Sequence, residues 1–248
     1  MATALYSLYA AGALGCKKEG GPTAPPTDRV RVLFIGNSLT SANDLPGILD
    51  ALADSAGVKP LEVVNISMDN TALSDHYLFL SARSVIQQGG WNYVVLQQGP
   101  SSRPANRDSL RMFAERFATD IRRVGARPAL YMVWPAAENA ADYDRAVESY
   151  TLAADDVDGL LFPGGELLRA ALARDATLPL LSSDGYHPSP MGSYLVALSM
   201  FGILYDRSPV GLPPRVVTRQ NVSVTISTPT ATLLQEVAAD GNERFGRR

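Results

Sequence analysis

Residues 30–38 read VRVLFIGNS, and this stretch decides the fold class of the chain. Its β-branched and apolar residues up to Ile35 predict a buried strand, and the Gly36-Asn37 pair that follows predicts a sharp turn. A helix is expected next, because Asn43 or Asp44 can cap it and an apolar stripe at helical spacing comes after them. The stretch therefore opens a strand–turn–helix unit.

The same alternation of strand and helix patterns continues to residue 205. The sequence YVVL at residues 93–96 is fully apolar, which is typical of a strand that is covered on both faces. Further strands are predicted at 61–67, 91–98, 128–134 and 159–162, and further helices at 74–88, 107–124, 140–154, 165–174 and 190–205. Strands that alternate with helices in this way form crossovers and a parallel sheet. We therefore predict an α/β fold, with a single three-layer α/β/α domain around a mostly parallel sheet.

The chain divides into three predicted parts. Residues 1–28 are a signal-like segment and a flexible tether, and residues 29–212 are the α/β domain. Residues 213–248 form a C-terminal extension that packs on the domain or is partly disordered. This extension contains a strand-like segment at 222–226, which could pair at the edge of the sheet, and a short helix at 231–239.

The N-terminal segment has the pattern of an export signal. Residues 2–15 carry no charge and are mostly small or apolar, but they are too few to span a bilayer, which needs about 20 residues. The sequence ALGC, which ends at Cys16, resembles a bacterial lipoprotein signal that is cleaved before a lipid-carrying cysteine. We expect an exported protein that is periplasmic or anchored to a membrane through lipid on Cys16. Export without lipid and a disordered start with an incidental cysteine are the alternatives.

The composition excludes several classes of protein. Of the 248 residues, 46% are apolar and 19% are charged, which rules out a disordered or collagen-like chain. The net charge of −3, without a basic stripe, argues against nucleic-acid binding. One cysteine and two histidines are too few ligands for a Cys/His zinc site, although carboxylates could still hold calcium or magnesium. A chain of this size needs neither disulfides nor a structural metal to hold its core.

Three polar clusters lie where an open parallel sheet binds its ligands, beyond the carboxyl ends of the strands. The first cluster presents Ser38 after a Gly-Asn turn. In the second, SSDGYHP, the Asp184 carboxylate can hold His187 in the tautomer that takes a proton from a hydroxyl, and a surface salt bridge is the alternative. The third, QQGPSS at residues 97–102, has amides that either satisfy the loop backbone or donate to a developing oxyanion.

Together these clusters resemble the SGNH/GDSL hydrolase superfamily over residues 30–206. The sequence FIGNS, which ends at Ser38, resembles the first block of that family, and DGYHP around His187 resembles its last block. The resemblance implies a flavodoxin-like sheet. It also implies that Ser38 is the nucleophile, that His187 is the general base and acid, and that Asp184 orients the histidine.

The middle blocks of that family match less closely. Its second-block glycine, which supplies an oxyanion N–H, is replaced here by the segment 69–73, so we expect the backbone N–H of Asn70 in that role. Its third-block asparagine is replaced by the glutamine pair. We expect the side chain of Gln98 to face the site, with Ser101 or Ser102 as alternatives.

The residues and the resemblance together predict a serine ester hydrolase that needs no cofactor. The expected substrate is a carbohydrate or small-molecule ester, most often an acetyl ester, and this step rests on family analogy. A lipid or thioester acyl hydrolase is one alternative, and a surface glycan-binding protein without turnover is another. We expect no nucleic-acid partner and no membrane contact other than lipid on Cys16, and the oligomeric state stays open. We expect His76 at the surface or at an interface.

Overall fold

The computed structural model describes residues 22–246, so Cys16 and its predicted lipid lie outside the described residues. Five parallel strands form the central sheet, namely β1 (Val30–Ile35), β2 (Leu61–Asn65), β3 (Tyr93–Leu96), β4 (Arg127–Tyr131) and β5 (Leu160–Phe162). Their order across the sheet is β2-β1-β3-β4-β5. The predicted α/β fold with a parallel, flavodoxin-like sheet is confirmed.

Helices cover both faces of this sheet. They are α1 (Ser38–Ser41), α2 (Leu45–Ser55), α3 (Leu73–Leu78), α4 (Ala82–Gln87), α5 (Pro104–Arg123), α6 (Tyr143–Asp156), α7 (Gly164–Arg174), α8 (Pro190–Tyr205) and α9 (Thr228–Phe245), with 3-10 helices at Ala42–Asp44 and Ala137–Asp142. Helices α2, α7, α8 and α9 pack together on one face, and α3, α4, α5 and α6 pack on the other. The helix predicted at 74–88 is two helices, because the backbone leaves the helical region at Phe79 (φ −125°) and Ser81 stands at the N-cap of α4.

Helix α8 is apolar on all sides, as expected of a helix that is covered all round. Residues 192–204 are all buried, because α8 packs against α2, α7 and α9 as well as against the sheet. The short helix predicted at 231–239 is the longer α9. It buries Leu234 and Val237, and full burial of an aliphatic side chain of this kind contributes about 1.5–3 kcal/mol. The C-terminal extension therefore completes the core on this face.

A small hairpin precedes α9. Strands β6 (Arg215–Val217) and β7 (Ser223–Thr225) pair antiparallel in a sheet of their own. The expected pairing of 222–226 with the edge of the main sheet is wrong, because a turn through Asn221 (φ 62°) returns the chain onto β6. Within residues 22–246, no helix combines the length and the apolar character needed to cross a membrane.

Candidate active site

The nucleophile candidate sits on a tight turn between β1 and α1. Asn37 is the N-cap of α1, and its Oδ1 accepts a hydrogen bond from the backbone N–H of Leu39 at 3.1 Å. Gly36 is required at this turn, because a Cβ there would lie 2.5 Å from the side-chain oxygens of Gln97 and Thr40. The turn places Ser38 at the carboxyl edge of the sheet, where its side chain remains partly accessible to solvent.

The structure brings Ser38, His187 and Asp184 together, although 149 residues separate the serine from the histidine. The Nε2 atom of His187 is 2.9 Å from the Oγ atom of Ser38. On the other side of the ring, Nδ1 is 2.6 Å from Oδ2 of Asp184. An ionised carboxylate can only accept hydrogen bonds, so Nδ1 carries the proton and Nε2 is left to accept from the Ser38 hydroxyl.

The loop that carries the histidine is held by its own backbone. The second carboxylate oxygen of Asp184, Oδ1, accepts from the N–H groups of Tyr186 at 2.9 Å and of His187 at 3.0 Å. Gly185 turns the loop in the left-handed region (φ 68°), which favours glycine. The N–H of Ser182 also donates to the carbonyl of His187 at 2.8 Å. The imidazole is therefore fixed in position before any substrate arrives.

These hydrogen bonds set the charge state of Asp184. The bond from His187, followed by the two backbone N–H bonds, lowers the pKa of the carboxyl group to about 2. The side chain of Asp184 is half exposed, so hydrogen bonding rather than burial accounts for its charge. Asp184 is ionised at neutral pH, and its negative charge stabilises the imidazolium that forms when His187 takes a proton.

Comparison with known proteins bears on this geometry. No protein-family profile matches the chain, and no curated protein is significantly similar to it in sequence. Among solved structures, a candidate SGNH hydrolase from Slackia heliotrinireducens is 26% identical with a TM-score of 0.61, over 71% of this chain and 99% of that chain. The chain has the SGNH hydrolase fold.

Two other solved structures share this fold at lower identity. A DUF4886 family protein from Bacteroides uniformis is 19% identical with a TM-score of 0.71, over 86% of this chain and 95% of that chain. A variant of an acetyl-xylooligosaccharide esterase from Geobacillus is 16% identical with a TM-score of 0.55, over 70% of this chain and 94% of that chain. The solved structures that share the fold of this chain thus include one protein named as an SGNH hydrolase and one named as an esterase.

Gln97 lies in the third polar cluster, and the sequence assigned it no specific role at the candidate site. Its side chain is fully buried, and its Oε1 accepts from the N–H of Asn37 at 2.9 Å and from the hydroxyl of Thr40 at 2.7 Å. Its Nε2 donates to Oδ1 of Asn37 at 2.9 Å and to the carbonyl of Gln98 at 2.6 Å. Gln97 thus ties the residue before Ser38 to the end of β3. The signal in the sequence was a polar residue that directly follows a fully apolar strand.

His76 also makes a hydrogen bond to the turn between β1 and α1. The expectation that His76 lies at the surface is wrong, because its side chain is 1% exposed. Its Nε2 lies 2.7 Å from the carbonyl oxygen of Gly36, so it carries a proton and donates it to that oxygen. Burial lowers the pKa of His76, and the hydrogen bond to Gly36 opposes this only in part. The histidine is therefore neutral at pH 7 and holds the turn next to Ser38.

Two of the three expected oxyanion residues have other partners. The Nε2 atom of Gln98 donates to Oγ of Ser101 at 2.8 Å and to the carbonyl of Asn106 at 3.3 Å, while its Oε1 accepts from the N–H of Leu73 at 3.2 Å. The hydroxyl of Ser101 donates in turn to the carbonyl of Gly99 at 3.0 Å. These bonds use both amide hydrogens of Gln98 and the hydroxyl hydrogen of Ser101. In the structure the two side chains hold the third loop together, and a role for either of them at the oxyanion stays a prediction.

The remaining oxyanion candidates are backbone N–H groups. The N–H of Ser38, at the first position of α1, makes no hydrogen bond to another described residue. Asn70 is exposed and lies in the left-handed region (φ 55°), next to Thr71, whose carbonyl accepts from Nδ2 of Asn37 at 3.3 Å. Asn70 thus flanks the nucleophile turn, and its role as a donor stays a prediction.

Trp134 holds the loop that carries His187 through one hydrogen bond. It is buried, and its Nε1 donates to the carbonyl of Tyr186 at 2.9 Å. The Tyr186 ring packs edge-on against the His187 ring, with 5.2 Å between the centroids. In the part of the chain that the structure describes, no group of three or more His, Cys, Asp or Glu side chains is placed to hold a metal ion. The groups that the structure brings together at the candidate site are the hydroxyl of Ser38, the imidazole of His187 and the carboxylate of Asp184.

Proposed function

We propose that this protein is a serine ester hydrolase that removes acyl groups, acetyl in particular, from a carbohydrate or a related small ester. One observation carries the proposal, the continuous hydrogen-bonded chain from Ser38 through His187 to Asp184, with distances of 2.9 and 2.6 Å. The SGNH hydrolase fold adds support, since the solved structures that share it include named hydrolases and esterases.

The reaction proceeds by a double displacement. The Oγ of Ser38 attacks the ester carbonyl carbon while Nε2 of His187 takes the hydroxyl proton, and the resulting oxyanion is held by the N–H of Ser38 and a second donor. When the tetrahedral intermediate collapses, the C–O bond to the leaving alcohol breaks and His187 protonates that alcohol. A water molecule, deprotonated by the same imidazole, then attacks the acyl-enzyme and releases the acid with Ser38 restored.

Two features favour a small acyl group. Ser38 is half-buried at the carboxyl edge of the sheet, and one structural neighbour is named as an acetyl-xylooligosaccharide esterase. A lipid or thioester acyl group is the alternative substrate.

Hydrolysis of 4-nitrophenyl acetate tests the proposal. The wild-type protein should release 4-nitrophenol, and Ser38→Ala should lower kcat/KM at least about a thousandfold. Ser84→Ala, which changes a serine on the exposed side of α4, is the matched control and should match the wild type. Equal rates for the wild type and Ser38→Ala would reject the mechanism. A wild type that is inactive on both short and long acyl esters would instead favour a glycan-binding protein on the same fold.

A further inference from the structure

A groove opens beside the catalytic residues, between two loops at the carboxyl edge of the sheet. One wall is the loop 100–103 with the start of α5, and the other is the segment 135–142 that follows β4. Tyr186 also lines the groove. The groove has a volume of about 290 Å³, which is close to the lower limit of about 300 Å³ for small-molecule sites. We call it the acceptor groove.

Tyr186 connects the acceptor groove with the imidazole of His187, because it lines the groove and packs against that ring. Tyr186 directly precedes His187, and their ring centroids are 5.2 Å apart. The carbonyl of Tyr186 accepts a hydrogen bond from Trp134, which fixes the backbone of Tyr186 next to the imidazole, and Tyr186 is also part of the groove lining. A group that leaves the carbonyl attacked by Ser38 can therefore extend past Tyr186 into the groove.

Several polar side chains of the acceptor groove have no partner in the part of the chain that the structure describes. The Arg103 guanidinium and the side-chain amides of Asn106 and Asn139 are exposed, and they make no hydrogen bond or ion pair with any residue between 22 and 246. The same holds for the hydroxyl of Ser102, which is 9% exposed. Other charged residues nearby are paired, as Asp142 is with Arg145. The groove thus presents a set of uncommitted donors and acceptors.

This set of groups discriminates between classes of ligand. A long acyl chain in the groove would remove them from water without replacing their hydrogen bonds, at about 1–3 kcal/mol for each group left unsatisfied. Sugar hydroxyls both donate and accept, so they can satisfy the amide N–H and C=O groups of Asn106 and Asn139 and the N–H groups of Arg103 together. The chemistry of the groove therefore fits a hydroxyl-rich ligand and opposes an aliphatic one.

We propose that the acceptor groove binds the sugar portion of the substrate, with Arg103 and Asn139 on opposite walls as residues that determine specificity for it. The proposal rests on the proposed function, because it assigns the groove to the leaving alcohol of that reaction. It excludes the lipid acyl alternative for this site. It also predicts that recognition of the sugar does not depend on turnover.

The test compares two esters that share an acetyl group but differ in the leaving alcohol. The kcat/KM values for 4-nitrophenyl acetate and for partially acetylated xylobiose are measured for Arg103→Ala, Asn139→Ala and the wild type. Each variant should lower the value for the acetylated sugar about tenfold more than the value for 4-nitrophenyl acetate, as loss of one hydrogen bond to a charged or well-placed group predicts. Arg127→Ala is the control. Arg127 is also exposed and has no ion pair among the described residues, but it starts β4 at the opposite edge of the sheet. This variant should leave kcat/KM unchanged for both esters.

A binding measurement separates this proposal from the proposed function. In the Ser38→Ala background, calorimetry with acetylated xylobiose should show binding that Arg103→Ala weakens about tenfold. A wild type that binds the acetylated sugar in this way but has no esterase activity, or has the same activity as Ser38→Ala, would overturn the proposed function and leave the groove as a sugar site. The assignment of the groove would be overturned if the variants lost activity equally on both esters or on neither. It would also be overturned by a wild type that hydrolyses 4-nitrophenyl acetate but neither binds nor deacetylates the sugar.

Discussion

Gln97 offers the sharpest test of how the fold positions its nucleophile. Replacement by alanine removes the acceptor that Oε1 provides for two donors, the N–H of Asn37 at 2.9 Å and the hydroxyl of Thr40 at 2.7 Å. Both donors are buried, with Asn37 7% and Thr40 1% exposed, so water cannot readily replace the lost partner. The substitution therefore perturbs the turn that carries Ser38 without touching a reacting atom.

The magnitude follows from the two orphaned donors. A buried donor without a partner costs about 1–3 kcal/mol, so the free energy of unfolding should fall by about 2–6 kcal/mol in Gln97→Ala. The same change frees Asn37, the N-cap of α1, to shift Ser38 relative to His187. A displacement of about 1 Å at a reacting group costs about a hundredfold in rate, and we expect a loss of this size in kcat/KM.

Urea unfolding and 4-nitrophenyl acetate hydrolysis measure the two effects. Gln87→Ala, an exposed glutamine on α4, is the matched control and should change neither quantity appreciably. A double-mutant cycle with Thr40→Val refines the test. Because valine has no hydroxyl to leave unsatisfied, the two losses of stability should be less than additive, by about 1–3 kcal/mol.

Three outcomes would each contradict part of this reasoning. If Gln97→Ala were as stable and as active as Gln87→Ala, the buried amide would not hold the turn. If Gln97→Ala lost stability but kept the wild-type kcat/KM, the network would support the fold without positioning Ser38. Strict additivity with Thr40→Val would show that the hydrogen bond between the two side chains contributes nothing measurable.

Two further predictions concern the carboxylate and the buried histidine. Asp184→Asn should lower kcat/KM about 10³- to 10⁴-fold with the fold intact by circular dichroism, because the asparagine amide donates to Nδ1 and forces the proton onto Nε2; a loss below tenfold would contradict the orienting role. Because burial lowers the pKa of His76 from its ordinary 6.5, the unfolded chain takes up a proton first as the pH falls below 6.5, and the free energy of unfolding should drop by up to about 1.4 kcal/mol per pH unit. His76→Gln should flatten this dependence between pH 5 and 6.5 in urea unfolding curves, and identical slopes in the two proteins would refute the assignment.

The parallel sheet could be predicted from the sequence because apolar runs such as residues 93–96 alternate regularly with amphipathic helices. The meeting of Ser38 with the Asp184–His187 pair could also be predicted, since both clusters lie at the carboxyl edge of such a sheet and resemble known sequence blocks. The strand and helix patterns can be read from neighbouring residues, and the meeting of strand ends at one edge is a general property of parallel sheets.

The partners of the glutamine pair could not be predicted, because spacing does not show whether an amide is consumed within its loop. Gln97 and Gln98 are adjacent, yet the first binds the nucleophile turn and the second binds Ser101 and α3. The burial of His76 was missed for a similar reason, since its partner is a backbone carbonyl 40 residues away. Lipidation of Cys16 stays a prediction.

Covalent trapping of the nucleophile tests the central claim most directly. The wild-type protein and Ser38→Ala are exposed to a fluorophosphonate, and the modified residue is located by peptide mass spectrometry. A serine activated by His187 attacks the phosphorus and displaces fluoride, so we predict a single phosphonyl adduct on Ser38 and none on Ser38→Ala. A wild type left unmodified at Ser38, or an adduct that forms equally on Ser38→Ala, would contradict the account.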